Sequence, residues 1–158
     1  MECRKHRSGF SLLELLVAVA IILIVSAIAI PNLVRSKMSA NEASAVGSLR
    51  AINAGCANYS FTWGKGFPVS LSNLGPGKPA TANKADLIDG LLAGGSKSGY
   101  ILVYVSGKPA GGKIATYTVN ANPLINQKTG ARYFFTDQTG VIRYDLAAVA
   151  TASSKPIS

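Results

Sequence analysis

RSGFSLLELLVAVAIILIVSAIAIPNLV, from Arg7 to Val34, decides how this chain is read. From Leu15 to Ile30, fifteen of sixteen residues are apolar, and Ser26 is the exception. No later stretch resembles it, so the sequence predicts one membrane segment at most. Residues 10–31 make 22 positions, which at 1.5 Å per residue span about 33 Å, close to the hydrocarbon thickness of a bilayer. In front stands a leader holding Arg4, Lys5, Arg7 and Glu2, a net charge of +2, which favours a cytoplasmic N-terminus. Arg35 and Lys37 beyond the span weaken that bias.

A basic start, an apolar middle and Ala27-Ile28-Ala29 also fit a secretory signal peptide, and the run alone fits a plain single-span anchor. Neither accounts for Glu14. An acid in a membrane helix costs about 2.5–3.5 kcal/mol at the centre on insertion scales and less near the interface, so it implies a function and a partner. The helical pattern also runs on for some thirty residues past Ala29, where a disposable signal would end.

Gly9-Phe10-Ser11-Leu12-Leu13-Glu14 followed by the apolar run resembles the type IV pilin and pseudopilin superfamily, whose precursors match G-F-x-L-x-E before a hydrophobic helix. The strict resemblance covers residues 7–34. It implies cleavage by a prepilin peptidase between Gly9 and Phe10, N-methylation of Phe10, and retention of the helix. It implies that Glu14 pairs in the filament with the Phe10 amine of a neighbouring copy, either charge being expensive unpaired in a water-poor core. Pro31 matches a proline common in the pilin helix, where loss of a backbone donor and a ring clash produce a kink or local opening.

Past Pro31 the pattern turns amphipathic, with Val34, Met38, Ala45, Leu49, Ile52, Cys56 and Tyr59 on one stripe, and Arg35, Lys37, Glu42 and Arg50 mostly off it. Cys56 on the stripe reads as a small buried residue. Gly47 and Gly55 are unusual in a helix interior. After Phe61, where six of seven prolines and thirteen of sixteen glycines lie, residues 62–83 read as a long surface connection. Residues 86–93 read as a short helix. Strand signals follow at 100–106, 114–120, 132–136 and 141–144, the last two joined by an Asp137–Gly140 turn.

The expected organisation is therefore a leader over 1–9, a long helix over 10–61 (membrane-spanning at 10–31, amphipathic at 32–61), and a globular part over 62–158. The fold class is α+β, a long N-terminal helix packed on an antiparallel sheet of three to four strands, the lollipop of the pilin family. The resemblance implies a structural subunit of a type IV pilus-type filament, inserted in the inner membrane with its globular part in the periplasm and then polymerised through its helix. A pseudopilin of a type II secretion system, or a minor pilin, shares the same leader. The implied partners are the prepilin peptidase, other copies of this chain in a helical homopolymer, an inner-membrane assembly platform and the lipid bilayer.

The net charge of +9 adds little to this. Residues 62–158 carry ten Lys/Arg and four Asp, +6 in all, scattered over the segment, which is the pattern of a solvated face and leaves room only for weak contact with DNA or an anionic surface. Two departures from the family stand out. No cysteine follows Cys56 to close a C-terminal disulfide loop, and only Asp137 and Asp145 lie where some pseudopilins bind calcium. Cys3 and His6, the single histidine, fall in the leader and lack a second ligand pair. No nucleophile–base pair, phosphate loop, cofactor motif or metal cluster is visible, so no catalytic, cofactor or metal residue is assigned.

Overall fold

A computed structural model describes residues 10–157. Helix α1 runs Leu12–Trp63, and by length and composition it contains a candidate membrane span. The chain divides after Ser36 into two compact units.

In the N-terminal unit, α1 buries none of its most apolar stretch. Leu13, Leu16, Ile22, Leu23 and Ile28 are all more than half exposed. Such a surface requires lipid or other protein around it. Pro31 sits inside the helix, which is assigned without a break across it. Proline cannot donate to the carbonyl four residues back. Next to it, the Asn32 side-chain amide donates to the Ile28 carbonyl at 3.0 Å, adding a donor in the turn the proline disturbs.

In the C-terminal unit, one face of α1 packs on an antiparallel sheet. The strands follow chain order: β1 Ser96–Lys97, β2 Tyr100–Ser106, β3 Tyr117–Pro123, β4 Tyr133–Asp137, β5 Arg143–Asp145 and β6 Lys155–Pro156. Six strands replace the three or four expected. The two added are pairs of residues at the sheet edges, too short to carry an alternating pattern. From the helix, Ala45, Leu49, Ile52, Cys56 and Tyr59 meet Tyr100, Leu102, Tyr117, Val119, Ala121 and Phe134 of the sheet in one core. Strand β3 alternates as a half-buried strand should, with Tyr117, Val119, Ala121 and Pro123 inward.

Three local expectations shift. The third-strand signal at 114–120 is realised at Tyr117–Pro123, because Ile114 is drawn into a bridge with Gly66. Gly66 has φ 77°, and a side chain there would run into the Ile114 backbone, so this approach needs glycine. The connection expected on the surface at 62–83 instead contributes to the core. A 3-10 helix at Leu71–Leu74 buries both leucines, and the Tyr59 hydroxyl donates to the Ala82 carbonyl at 2.9 Å. The helix expected over 86–93 shortens to α2, Gly90–Ala93, because Asp86 has φ 54° and Asp89 is extended with ψ 158°, so helical backbone begins only after it. Asp89 caps α2 by accepting from Leu92 N at 2.8 Å.

The sheet's outer face is divided. On β2, Ile101, Val103 and Val105 are exposed. Over β3–β5 the chain after β5 folds back, Asn120 donating from its amide to the Ala150 carbonyl at 2.8 Å, with Ala150 and Phe135 buried beneath.

Candidate functional site

The first turn of α1 gathers Phe10, Ser11 and Glu14. Phe10 is exposed and precedes the helix. Ser11 is its N-cap. The Ser11 Oγ accepts from Leu13 N at 3.3 Å, and Glu14 Oε2 accepts from Ser11 N at 3.1 Å. Ser11 Oγ thus serves the second amide of the helix and Glu14 serves the Ser11 amide, which satisfies two donors the helix start leaves open. The acid also lies at the positive end of the helix dipole. Gly9 and the rest of the leader lie outside the described residues. Pro31, seventeen residues beyond Glu14, is about 25 Å further along the helix and takes no part in this turn.

Sequence reasoning passed over two residues. Ser11 was legible through the S-x-x-E spacing at the start of an apolar run. Glu42 was placed off the apolar stripe, yet it is buried within it. Its Oε1 accepts from Ala131 N at 2.8 Å and Arg132 N at 3.2 Å, and its Oε2 from Arg132 Nε at 2.7 Å. The spacing carried the clue: between Met38 and Ala45 the stripe skips a turn, and position 42 fills it. Around this clamp, Asn41 Nδ2 donates to the Thr129 carbonyl at 2.8 Å and Tyr100 donates to the Arg132 carbonyl at 2.8 Å. The Arg132 guanidinium lies over the rings of Phe134 and Tyr144. This network ties α1 to the segment before β4.

Cys56 is fully buried among aromatic residues. Burial pushes its thiol up to about 12, against the weaker pull of hydrogen bonds with Tyr104 and Tyr117, so it stays a protonated, unreactive core residue. Burial likewise raises Tyr104 and Tyr117 well above the usual phenol range. Tyr104 donates to the Pro68 carbonyl at 2.7 Å and Tyr117 to Asn53 Oδ1 at 3.0 Å. An open groove of about 340 Å³ is lined by Val46, Arg50, Gly140, Val141, Ile142 and Ile157, four aliphatic residues with one cation and one glycine. Among the described residues, no three His, Cys, Asp or Glu cluster as metal ligands would.

Residues 4–30 match the family model described as the prokaryotic N-terminal methylation motif. The matched stretch contains Gly9, Phe10 and Glu14 and ends one residue before Pro31. No curated protein and no solved structure matches the chain.

Proposed function

We propose that this chain, which carries the class III leader and methylation motif of type IV pilins and pseudopilins, is a structural subunit of a type IV pilus-type filament. The motif match carries the reading. Two features of the fold support it: an apolar helical stretch with nothing buried against it, and a separately packed globular unit that can form a fibre surface. In this reading a prepilin peptidase cuts between Gly9 and Phe10, and Phe10 is N-methylated. The subunit waits in the inner membrane with its globular part in the periplasm. It then enters the polymer through an assembly platform. Glu14 faces the Phe10 amine of a neighbouring copy, so that two charges costly apart cancel together. A copy docked at the wrong height leaves both unpaired, which makes the pair a register device. Pro31 gives the helix its point of bending or opening.

The test is composition and place. Sheared surface filaments should contain this chain beginning at a methylated Phe10, by mass spectrometry of the N-terminal peptide. Filaments confined to the periplasm would instead identify a pseudopilin of a type II secretion system. Glu14→Ala should abolish or strongly reduce filaments while leader removal and membrane insertion persist. Unchanged assembly would remove the role given to Glu14.

A further inference from the structure

None of the residues around the open groove of the C-terminal unit takes part in the first turn of α1. Val46, Val141, Ile142 and Ile157 give the groove an aliphatic wall. Arg50, exposed on α1, gives it a cation that forms no ion pair among the described residues. We propose that this groove receives the loop at 145–149 of a second copy of the chain, with Leu146 and Val149 against the aliphatic wall and Asp145 against Arg50. The proposal rests on the filament reading above, and it names a contact between globular units that the motif at the helix start does not supply.

An aliphatic groove with a cation beside it is matched by a segment that carries exposed aliphatic side chains next to an acid. The C-terminal unit holds five acids, Glu42, Asp86, Asp89, Asp137 and Asp145. Glu42 is paired with Arg132, and Asp89 with Lys97. Asp137 turns its Oδ1 back to Thr139 N at 2.9 Å. Asp86 is followed by Leu87 and Ile88, which pack in their own core. Asp145 is followed by Leu146, Ala147, Ala148 and Val149, all exposed, with Leu146 at 62% and Val149 at 52%. Its Oδ1 accepts from Ala147 N at 2.9 Å and Ala148 N at 3.3 Å, so the turn that presents these side chains is set before any contact. The same bonds hold its carboxyl below the usual carboxylate range, so it stays ionised.

A copy's own loop is on the wrong side of the sheet to fill its own groove. The groove is lined by Val46 and Arg50 of α1, so it opens on the helix side. The loop leads instead to Ala150 on the outer face, where the Asn120 amide donates to the Ala150 carbonyl at 2.8 Å. The two surfaces also stand at opposite ends of β5, which Ile142 precedes and Leu146 follows. Each copy therefore offers a loop in one place and a groove in another. Two copies meet through different surfaces, and such a contact repeats from copy to copy. Aliphatic side chains packed around Arg50 and Asp145 keep water from the pair, which makes it worth more than an ion pair in open solvent.

The experiment uses the full chain in cells. Val141→Cys, on the groove, and Val149→Cys, on the loop, leave Arg50 and Asp145 in place. Combined in one chain and treated with a copper–phenanthroline oxidant, they should give a ladder of disulfide-linked dimers, trimers and higher species on non-reducing gels. Either alone should give monomer, and so should Val149→Cys combined with Leu91→Cys, an exposed leucine on α2. Cys56 is fully buried and takes no part. Filament yield tests the charges. Arg50→Glu should lower it at least about tenfold, because two acids then face each other. Asp145→Asn keeps the acceptor for Ala147 and Ala148 and should lower it less. Arg50→Glu combined with Asp145→Lys should recover the yield, which damage to the fold would not do. No ladder from cells that make filaments overturns the contact. Failure of Asp145→Lys to rescue Arg50→Glu overturns the pairing. If the wild type makes no filament anywhere, the filament reading fails; a ladder from membrane-held chains then still establishes the contact, and its absence overturns that as well.

Discussion

In residues 12–36 of α1 no side chain is buried, and in residues 37–63 Glu42, Ala45, Ser48, Leu49, Ile52, Gly55, Cys56 and Tyr59 are. The first stretch is the more apolar of the two, so burial within the chain runs opposite to hydrophobicity. Its leucines and isoleucines surround the whole helix, leaving no polar face to turn toward water and no sheet to lie against. The second stretch has one apolar stripe, and the chain supplies the cover for it. A helix apolar all round is satisfied only by lipid or by other helices, whereas an amphipathic one can be satisfied by its own fold. The acids follow the same division. Glu42 receives three donors from Ala131 and Arg132 of its own unit. Among the described residues, Glu14 receives one, from the turn it sits in.

The strongest way to break this contrast is a pair of identical truncations. Leu49→Ala, at a fully buried position, should cost the C-terminal unit about 2–5 kcal/mol in urea unfolding of the chain in mild detergent. Leu23→Ala, 64% exposed, should shift the same transition by less than about 0.5 kcal/mol. Equal losses would mean that the two stretches share one cooperative core. The acids give the next test. Glu42→Ala strands the amides of Ala131 and Arg132 and should cost about 2–3 kcal/mol; the Arg132 side chain, 40% exposed, recovers water and keeps the loss below that of a fully buried pair. Glu14→Ala should leave that unfolding midpoint unchanged.

How much of this could be read from residues alone also divides between the two stretches. Membrane-type hydrophobicity is a property of composition, and the motif around Gly9, Phe10 and Glu14 is local, so residues 7–34 stand out without any knowledge of what they touch. The stripe from Ala45 to Tyr59 was legible for a related reason, since a period of 3.6 fixes which side chains share a face. Position 42 fills a gap in the same stripe, but an acid there reads as exposed, because the amides that satisfy it lie 89 and 90 residues away and no periodicity reports them. The third strand slipped by three residues for a similar cause: Ile114 looks like a strand residue, and only the distant Gly66 bridge takes it out of the sheet. Leu71 and Leu74 sit among glycines, prolines and serines that signal a loop, and that signal says nothing about whether the loop turns inward.

A smaller effect tests the edge of the C-terminal unit. Asp89 caps α2 and pairs with Lys97 at 2.8 Å, and that bond, with the Leu92 amide, holds its carboxyl below the usual range. A depressed folded-state value stabilises the fold above the ordinary carboxyl value of 3.8, and the contribution is lost as pH falls below it. Asp89→Ala should cost about 1 kcal/mol at pH 7, by the usual worth of a cap. The difference from wild type should shrink as the unfolding is repeated from pH 5 down to about pH 3. A gap that stays constant would mean the carboxylate's charge plays no part.

The finest comparison lies within the second stretch, between its two glycines. Glycine inside a helix costs about 1 kcal/mol relative to alanine, so each position has something to gain from a methyl group. At Gly47 an added Cβ would meet nothing within 4 Å. Gly47→Ala should therefore stabilise the unpolymerised chain by about 0.5–1 kcal/mol. At Gly55 the same Cβ would lie 3.2 Å from Ile88 Cγ2 and 3.5 Å from Leu74 Cδ1, in the contact that seats the 3-10 helix and the segment before α2 on α1. Crowding there opposes the gain in helix propensity, and Gly55→Ala should be destabilising by about 1 kcal/mol. The two substitutions are chemically identical and eight residues apart on one helix. Opposite signs in the same unfolding assay would show that the inward face of α1, and not its propensity, sets the stability of this unit. If both variants are stabilised, the Ile88 methyl yields more readily than the packing implies, and the contact beneath Gly55 is looser than the rest of the core.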